Sequence, residues 1–240
     1  MPLNTDIVHP SWQAIVFSAL KTVDPDYLGM LAREKDWLPG EKAIFNAFSL
    51  PLAQTHYILF GESPYPRKAS ANGYAFWDAR VLNLWSTKGL DSRVNRATSL
   101  RNILKMLLIA EGKLAVENVT QDAIATCDKT NLIKTGDELF QHFLKSGILL
   151  LNASLVLSTR KVRHDAAAWR PFMAHLLEEL KKRNQKITLL LFGKIAHEIL
   201  SFPAATAFPS LIAEHPYNLS FVTNEKVIKV FRKLHLLRKT

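Results

Sequence analysis

Four short apolar runs, each ending where glycine or polar residues begin, most strongly limit how this chain can fold. They are Tyr57–Phe60, Ile148–Asn152, Ile187–Phe192 and Ser210–Ala213. The second and third runs are almost continuously apolar, which is typical of parallel strands buried on both faces. Segments with helical spacing separate the runs. This alternation indicates a doubly wound α/β fold, with a parallel sheet covered by helices on both faces.

The spacing of apolar residues predicts helices in seven segments. They are Pro10–Thr22, Asp26–Asp36, Ser99–Glu111, Gly136–Ser146, Ala166–Arg183, Ile195–Phe202 and Asn224–Leu237. Ser99 is a suitable N-cap for the third of them, and Thr223 or Asn224 for the last. The sequence has no repeat, low-complexity tract or evident linker, so we predict a single domain spanning residues 1–240.

Charge and cysteine content narrow the range of partners and cofactors. Lys and Arg number 31 against 21 Asp and Glu, and this net charge of +10 fits either a polyanionic partner or a solvated cationic surface. The basic residues cluster at Arg93–Lys105, Arg160–His164, Lys181–Lys186 and Lys226–Lys239. Cys127 is the only cysteine, which excludes an internal disulfide and any zinc or iron-sulfur site built from several cysteines.

The hydropathy of the chain and its first twenty residues predict where in the cell the protein is found. No uninterrupted apolar segment approaches the ~20 residues needed to cross a bilayer. The first twenty residues include Asp6, His9, Pro10 and Gln13 and do not resemble a secretion signal. We therefore expect a soluble, cytoplasmic protein.

Ligands of open parallel sheets bind beyond the carboxyl ends of the strands. The loops that follow the four predicted strands contain Gly61–Pro66, Asn152–Ser154, Gly193 and His215–Ser220. We expect these loops to converge at one rim of the sheet and to form a site there. The alternative is that they are ordinary strand-to-helix turns.

The loop after the first strand reads Gly-Glu-Ser-Pro-Tyr-Pro over residues 61–66, and Ala-Asn-Gly-Tyr-Ala-Phe follows over residues 71–76. It resembles the active-site loop of uracil-DNA glycosylases, which usually reads Gly-Gln-Asp-Pro-Tyr-His and then Ala-His-Gly-Leu-Xaa-Phe. The resemblance implies that Tyr65 blocks the C5 position of the base and so excludes thymine. It also implies that uracil stacks on Phe76, a contact worth ~1 to 3 kcal/mol. Taken singly, each ring would more often belong to the core.

Two further motifs follow in the order of the same family, and the resemblance extends from Ser11-Trp12 to the last helix. Leu149-Leu150-Leu151-Asn152 resembles a Leu-Leu-Leu-Asn segment, which implies that the Asn152 amide pairs with the edge of uracil. His-Pro-Tyr-Asn-Leu-Ser over residues 215–220 resembles His-Pro-Ser-Pro-Leu-Ser. The resemblance implies that His215 stabilises the leaving uracil anion, as an oxyanion-hole donor does.

The third motif also implies contacts with DNA. Leu219 matches the leucine that fills the gap left by a flipped base, and Ser220 matches a serine that grips a phosphate. Tyr217 and Asn218 depart from the serine and proline of the family. A weaker match, Ser99-Leu100-Xaa-Asn102-Ile103, resembles the entry of a helix that follows a phosphate-binding loop, so Ser99 is a second candidate for phosphate contact, with Arg96 beside it. The helix-cap interpretation of Ser99 remains open.

Two departures from the family lie at its catalytic centre. Ser63 and Pro66 stand where the family has the aspartate and histidine that orient the attacking water. A serine hydroxyl can hold a water molecule but is not an effective general base near neutral pH, and losing such a base costs ~10²- to 10⁴-fold in rate. His215 and the loop amides can still stabilise the transition state. Glu62, Asp78 and Asp165 are alternative groups for positioning water.

Other classes of protein fit the first loop less well. Gly61-Glu62-Ser63 after a strand suggests a nucleophile elbow, but Tyr65 replaces the required glycine and Pro64 lacks the N–H group of an oxyanion hole. Some glycosylase branches have Gly-Glu, a small residue and proline at the positions of residues 61–64, and they work without an acid at the position of Ser63. These branches normally hold an iron-sulfur cluster through four cysteines. A single cysteine does not allow such a cluster.

We therefore predict a three-layer α/β/α protein with a central four-stranded parallel sheet, similar to uracil-DNA glycosylases. We expect it to bind uracil-containing DNA, to flip uracil from it and to hydrolyse the N-glycosidic bond with reduced or altered water activation, as a monomer that needs no cofactor or metal. Ser63 and His215 are the predicted catalytic residues. Glu62, Tyr65, Phe76 and Asn152 are predicted to bind the base, and Ser99, Leu219 and Ser220 to bind DNA. The alternatives are a DNA-binding relative that recognises uracil or damaged DNA without efficient cleavage, and a relative with another base specificity.

Overall fold

The computed structural model of the chain describes residues 3–159 and 162–239. Its helices there are α1 (Pro10–Leu20), α2 (Pro25–Arg33), α3 (Ser92–Arg96), α4 (Thr98–Ala110), α5 (Gln121–Thr126), α6 (Gly136–Lys145), α7 (Val162–Lys182), α8 (Ile195–Leu200) and α9 (Glu225–Arg232). Its strands are β1 (Tyr57–Gly61), β2 (Trp85–Ser86), β3 (Gly89–Leu90), β4 (Ile148–Asn152), β5 (Thr188–Phe192) and β6 (Ser210–Ala213). Short 3₁₀ helices cover Asn46–Ser49, Leu52–Gln54, Pro203–Ala207 and Leu219–Thr223. Arg160 and Lys161, part of one predicted basic cluster, lie outside the described residues.

The central sheet has the strand order β4-β1-β5-β6. β1 pairs in parallel with β4 on one side and with β5 on the other, and Tyr57 is aligned with both Ile148 and Thr188. β4 is buried along its whole length, which explains its unbroken apolar sequence. The predicted α/β fold, a four-stranded parallel sheet flanked by helices, is confirmed. Each strand limit lies within one residue of its predicted position.

The described residues group into two compact units. The first contains those of Met1–Asp78, Gly147–Leu191 and Ile195–Ser210. Helix α1 packs against α7 in this unit, and Phe48 makes edge-to-face contacts with Trp12 and Phe172 at centroid distances of 5.4 and 6.2 Å. The same core buries Phe60 and Leu151. It therefore fixes the ends of β1 and β4, from which two of the candidate loops leave.

The second unit contains the described residues of Ala79–Ser146, Phe192–Lys194 and Leu211–Thr240. Helix α4 packs there against α9 and against the 3₁₀ helix Leu219–Thr223. Phe143 of α6 and Phe231 of α9 lie with their ring centroids 6.1 Å apart in its interior. This packing supports the loop that carries the third motif. The prediction that residues 1–240 form one domain stays a prediction.

The helix limits correct two expectations from the sequence. Helix α4 begins at Thr98, and its N-cap residue, Ala97, makes no side-chain cap, so the prediction that Ser99 caps this helix is wrong. Helix α7 begins at Val162 instead of Ala166 and contains Pro171. The prediction of an asparagine cap for the last helix is confirmed, because Asn224 Oδ1 accepts the N–H of Val227 at 3.2 Å.

Several short elements were not predicted, because they contain too few residues to show a period. They are α3, α5 and the antiparallel pair β2–β3. Side chains hold them instead: Asp91 caps α3 by accepting the N–H of Arg93 at 2.8 Å, and Gln121 Oε1 accepts the N–H of Leu90 at 2.9 Å. Across residues 3–159 and 162–239, no helix combines the length and apolar character of a membrane span.

Candidate active site

Gly61 and Asn152 lie side by side at the carboxyl ends of β1 and β4. A Cβ atom on Gly61 would lie 2.5 Å from Asn152 Oδ1, so only glycine leaves room for the amide here. Asn152 is 3% exposed. In the described part of the chain, no residue forms a hydrogen bond with this side-chain amide. Since buried amides are normally paired, its donor and acceptor suit a polar ligand.

The loops after β1 and β4 run together beyond the sheet. Ala153 donates its N–H to Gly61 O at 2.8 Å, and Ser154 donates its N–H to Glu62 O at 3.0 Å. These bonds fix the backbone of the two residues before Ser63, whose side chain is half-buried. The side chain of Glu62 is exposed and lines a small cleft with Arg170 and Glu198.

Tyr65 and Phe76 are joined directly. The Tyr65 hydroxyl donates to the carbonyl oxygen of Phe76 at 3.2 Å. Burial, and to a lesser extent the negative charge of Asp78, raises the pKa of Tyr65, so the hydroxyl stays a neutral donor at physiological pH. Phe76 has a φ of +62°, a conformation that costs ~1 to 3 kcal/mol and is frequent at functional sites.

The segment before Phe76 is braced from both sides. Asn46 Nδ2 donates to the carbonyl of Asn72 at 2.8 Å, and Asn72 Oδ1 accepts the N–H of Tyr74 at 3.1 Å. Ala75 donates its N–H to Leu150 O in β4 at 3.1 Å. The position of the Phe76 ring is thus set by hydrogen bonds from its segment to the sheet and to the 3₁₀ helix Asn46–Ser49, which offset the strain at its φ angle.

The two buried aspartates considered for water positioning differ in their surroundings. Asp165 is fully buried and accepts from the Tyr27 hydroxyl at 2.8 Å, from the Ser158 N–H at 2.8 Å and from the Ser158 hydroxyl at 2.9 Å. It is a structural acceptor that holds the chain before α7, and the suggestion that it positions water is wrong. Asp78 lies beside the exposed Arg67, with Oδ2 3.9 Å from Nη2.

His215 follows β6 after one intervening residue, in the second unit. Its Nδ1 atom accepts the N–H of Tyr217 at 3.0 Å, and its carbonyl accepts the N–H of Asn218 at 2.8 Å. An accepting Nδ1 places the proton of the neutral imidazole on Nε2, which is then a hydrogen-bond donor. Gly193 (φ +83°) leaves the space that the His215 side chain occupies, because a Cβ atom on residue 193 would lie 2.6 Å from His215 Cβ.

Asn102 is a site residue that sequence reasoning did not assign. It is buried in α4, and its Nδ2 atom donates to the carbonyl of Pro216 at 2.7 Å, with the carbonyls of Tyr217 and Asn218 at 3.4 Å. One amide group therefore holds three consecutive carbonyls of the loop after His215. The signal was present in the Ser99-Leu100-Xaa-Asn102 match, where only the serine received a role.

The three predicted DNA-binding residues have different surroundings. Leu219 is 66% exposed. The Ser220 hydroxyl donates to Glu214, whose carboxylate also accepts from Asn224 Nδ2 at 2.9 Å. Burial raises the pKa of Glu214, but the hydrogen bond from its own backbone N–H and those from Ser220 and Asn224 together outweigh burial, and the pKa is lowered. Ser99 lies half-buried in the first turn of α4.

The structure thus brings the predicted site residues together in two groups. Within the first unit, Asn152 lies beside Gly61, and Tyr65 contacts Phe76. Within the second, His215 lies beside Gly193, and Asn102 of α4 holds the loop that carries Leu219. The convergence of all four loops on one rim stays a prediction.

Known proteins resemble the chain along most of its length. The family described as the uracil DNA glycosylase superfamily matches residues 49–235. A uracil-DNA glycosylase from Corynebacterium glutamicum is 26% identical over 226 residues, which cover 89% of this chain and 81% of that protein. The crystal structure of wild-type UNG from Nitratifractor salsuginis is similar with a TM-score of 0.93 and 42% identity, covering 97% of this chain and 94% of that one. Mimivirus uracil-DNA glycosylase shares the fold, with a TM-score of 0.59, 17% identity and coverage of 88% and 70%. The chain belongs to the uracil DNA glycosylase superfamily.

Proposed function

We propose that this chain is a DNA repair enzyme that removes uracil from DNA by hydrolysing its N-glycosidic bond. Membership of the superfamily and the likeness to UNG support uracil excision. The observation that carries the proposal is the buried Asn152 amide beside Gly61, with its donor and acceptor available. In the reaction the C1′–N1 bond breaks and its electron pair goes to uracil. The water oxygen bonds to C1′, and the proton lost by water balances the charge of uracil.

Base recognition is assigned to the first unit. Asn152 pairs with the edge of uracil, where one donor and one acceptor match uracil and mismatch cytosine. Uracil stacks on Phe76, and Tyr65 stands against C5 and rejects the methyl group of thymine. The hydrogen bond from Tyr65 to the Phe76 carbonyl supports this assignment, because it fixes the blocking ring relative to the residue that provides the stacking ring.

Stabilisation of the leaving group is assigned to His215. Its Nε2–H donates to the uracil oxygen on which negative charge develops, and a fixed donor of this kind lowers the barrier without reorganising during the reaction. Support comes from the hydrogen bond between the Tyr217 N–H and Nδ1, which selects the tautomer with a proton on Nε2. The imidazole acts in its neutral form.

Water handling is where this chain departs from the usual pattern of the family. Ser63 takes the position of the family aspartate and Pro66 that of the histidine, so the water is held by a neutral hydroxyl. We propose that the Ser63 hydroxyl orients the water and that Glu62 assists binding at the mouth of the site. The rate then depends mainly on stabilising the oxocarbenium-like sugar and the uracil anion.

DNA contacts are assigned to the second unit. Leu219 enters the space that the flipped base leaves, and its exposure supports this role. Ser99 in the first turn of α4 and Ser220 contact phosphates. The net charge of +10 supplies long-range attraction for the DNA backbone. The monomeric state and cytoplasmic location expected from the sequence stay predictions.

Uracil release from single-stranded DNA tests the proposal. The purified protein is incubated with oligonucleotides that carry uracil, thymine or cytosine at one position, and abasic sites are counted after strand cleavage. We expect product from uracil only, and at least about a 100-fold lower rate for Asn152→Ala because the site then lacks its pairing group. Intact DNA binding with no abasic product over hours would favour the non-catalytic alternative instead.

His215→Ala separates catalysis from binding. If His215 stabilises the leaving uracil anion, the variant loses about 10²- to 10³-fold in kcat, whereas its affinity for uracil-containing DNA changes by less than about threefold. An equal loss of kcat and of affinity would contradict the leaving-group role, because it would point to ground-state binding.

A further inference from the structure

Tyr217 projects from the protein although it is aromatic. It is 68% exposed, and Leu219, two residues further on, is 66% exposed. They are the two most exposed large apolar side chains found among residues 3–159 and 162–239. Contiguous exposed apolar surface on a protein often marks a binding site.

The backbone beneath Tyr217 is held firmly. Its N–H donates to His215 Nδ1 at 3.0 Å, and its carbonyl lies 3.4 Å from Asn102 Nδ2, which also binds the carbonyl of Pro216 at 2.7 Å. Both polar groups of the Tyr217 backbone thus have partners inside the second unit while its ring points outward. A loop pre-organised in this way loses little backbone conformational entropy when its side chain binds a ligand.

Two cationic residues flank Asn102 in α4, the helix that holds this loop. Arg101 precedes Asn102 in α4 and donates from Nε to Asn102 Oδ1 at 3.4 Å. Lys105 lies one turn further along the same helix, and burial, together with the charge of Arg101, lowers its pKa. An outward aromatic ring on a loop backed by cations suits a polyanion that also carries planar rings, which is the chemistry of single-stranded nucleic acid.

We propose that Tyr217 stacks on a base adjacent to the uracil that the enzyme removes. The inference rests on the proposed function and adds a second contact to that of Leu219. Flipping one nucleotide leaves its neighbours without a stacking partner. Leu219 fills space but has no π-face, whereas the Tyr217 ring offers one. The role also accounts for an aromatic residue where the resemblance to the family led us to expect a serine.

The test compares three variants on two single-stranded oligonucleotides. In one oligonucleotide adenines flank the uracil, and in the other both flanking nucleotides are abasic spacers. Tyr217→Ser removes the ring and keeps the backbone N–H on His215. Tyr217→Phe keeps the ring. Val116→Ser is the matched control, since Val116 is also an exposed apolar residue (44%) but lies outside the loop.

We expect Tyr217→Ser to raise KM on the adenine-flanked substrate about 5- to 100-fold, the range for loss of one stacked base. Its kcat should stay within about twofold, because His215 keeps its partner. Tyr217→Phe and Val116→Ser should resemble the wild type. With abasic flanks, wild type and Tyr217→Ser should have the same KM, since no base is present to stack.

Each other result decides a different question. If the wild type releases no uracil from either oligonucleotide, the proposed function fails. If the wild type is active but Tyr217→Ser has an unchanged KM, the stacking role is overturned. The role is also overturned if the KM of Tyr217→Ser rises equally on both substrates. Inhibition by free uracil gives a further check: weaker inhibition of Tyr217→Ser would mean that the substitution disturbs the His215 loop itself and would also overturn the role.

Discussion

Gly193 approaches His215 so closely that a Cβ atom on it would lie 2.6 Å from the Cβ of His215. No side chain fits there unless the histidine moves. We expect Gly193→Ala to lower kcat about 100-fold, because a displacement of about 1 Å in a catalytic group has an effect of this size. DNA affinity should change little. Single-turnover kinetics and oligonucleotide binding measure the two quantities separately.

A matched variant controls for backbone strain in this experiment. Gly112 also has a positive φ, +69°, but a Cβ atom on it would have no neighbour within 4 Å. Gly112→Ala should therefore lose about 1 kcal/mol of stability from its φ angle and keep its activity. If both variants lose activity to the same extent, strain explains the result, and the fit between Gly193 and His215 is not important for catalysis.

The sequence was sufficient for the strands and for the type of site, but not for the contacts that hold the site. Continuous apolar runs marked β1, β4 and β5, because buried parallel strands need little else, whereas β6 is short and only partly buried. The role of Asn102 depends on the carbonyls of residues 216–218, more than a hundred positions further along the chain. Local patterns carry no record of such a pairing. Helix α4 likewise begins before Ser99 without a side-chain cap, since packing against α9 outweighs capping preference.

The burial of the Tyr65 hydroxyl, which raises its pKa, predicts a change of stability at alkaline pH. A phenol whose pKa is raised in the folded state stabilises the fold below its unfolded pKa of about 10, and this contribution is lost as the pH rises further. Tyr65→Phe should therefore unfold about 1 kcal/mol more easily at pH 8. Its stability should fall less steeply than that of the wild type above pH 10. Urea denaturation between pH 8 and 11 measures the stability loss at pH 8 and the pH dependence above pH 10. If the stabilities of the wild type and of Tyr65→Phe fall in parallel with pH, the Tyr65 hydroxyl does not cause the alkaline change.

Restoring the usual water-handling residues should accelerate the enzyme. The double variant Ser63→Asp and Pro66→His places a carboxylate and an imidazole where the family normally has them. We expect the single-turnover rate at pH 7.5 to increase about 100-fold, the lower limit for a positioned general base. Ser63→Asn with Pro66→His is the matched control, because it has nearly the same shape without the carboxylate. An equal increase in both variants would show that charge at residue 63 is not the missing element.

Ser220 has one partner in the structure, Glu214, and one proposed partner, a DNA phosphate, and competition between them can be measured. Its hydroxyl donates to Glu214, and a hydroxyl proton used there is not available to a phosphate. The hydrogen bonds lower the pKa of Glu214, so their contribution to stability is present above the unfolded pKa of about 4.3 and is lost as the pH falls. Ser220→Ala should cost about 1 kcal/mol at pH 7 and less at pH 3.5.

Glu214→Gln distinguishes the two roles of Ser220. It removes the titrating carboxyl but keeps the serine hydroxyl. The loss of folding stability at acidic pH should therefore become smaller, while DNA affinity is retained. If Ser220 also grips a phosphate, Ser220→Ala should weaken DNA binding and reduce its salt dependence, whereas Glu214→Gln should not. Equal DNA affinity in both variants would limit Ser220 to its structural bond with Glu214. The loop would then depend on Leu219 and Tyr217, not on Ser220, for its contact with DNA.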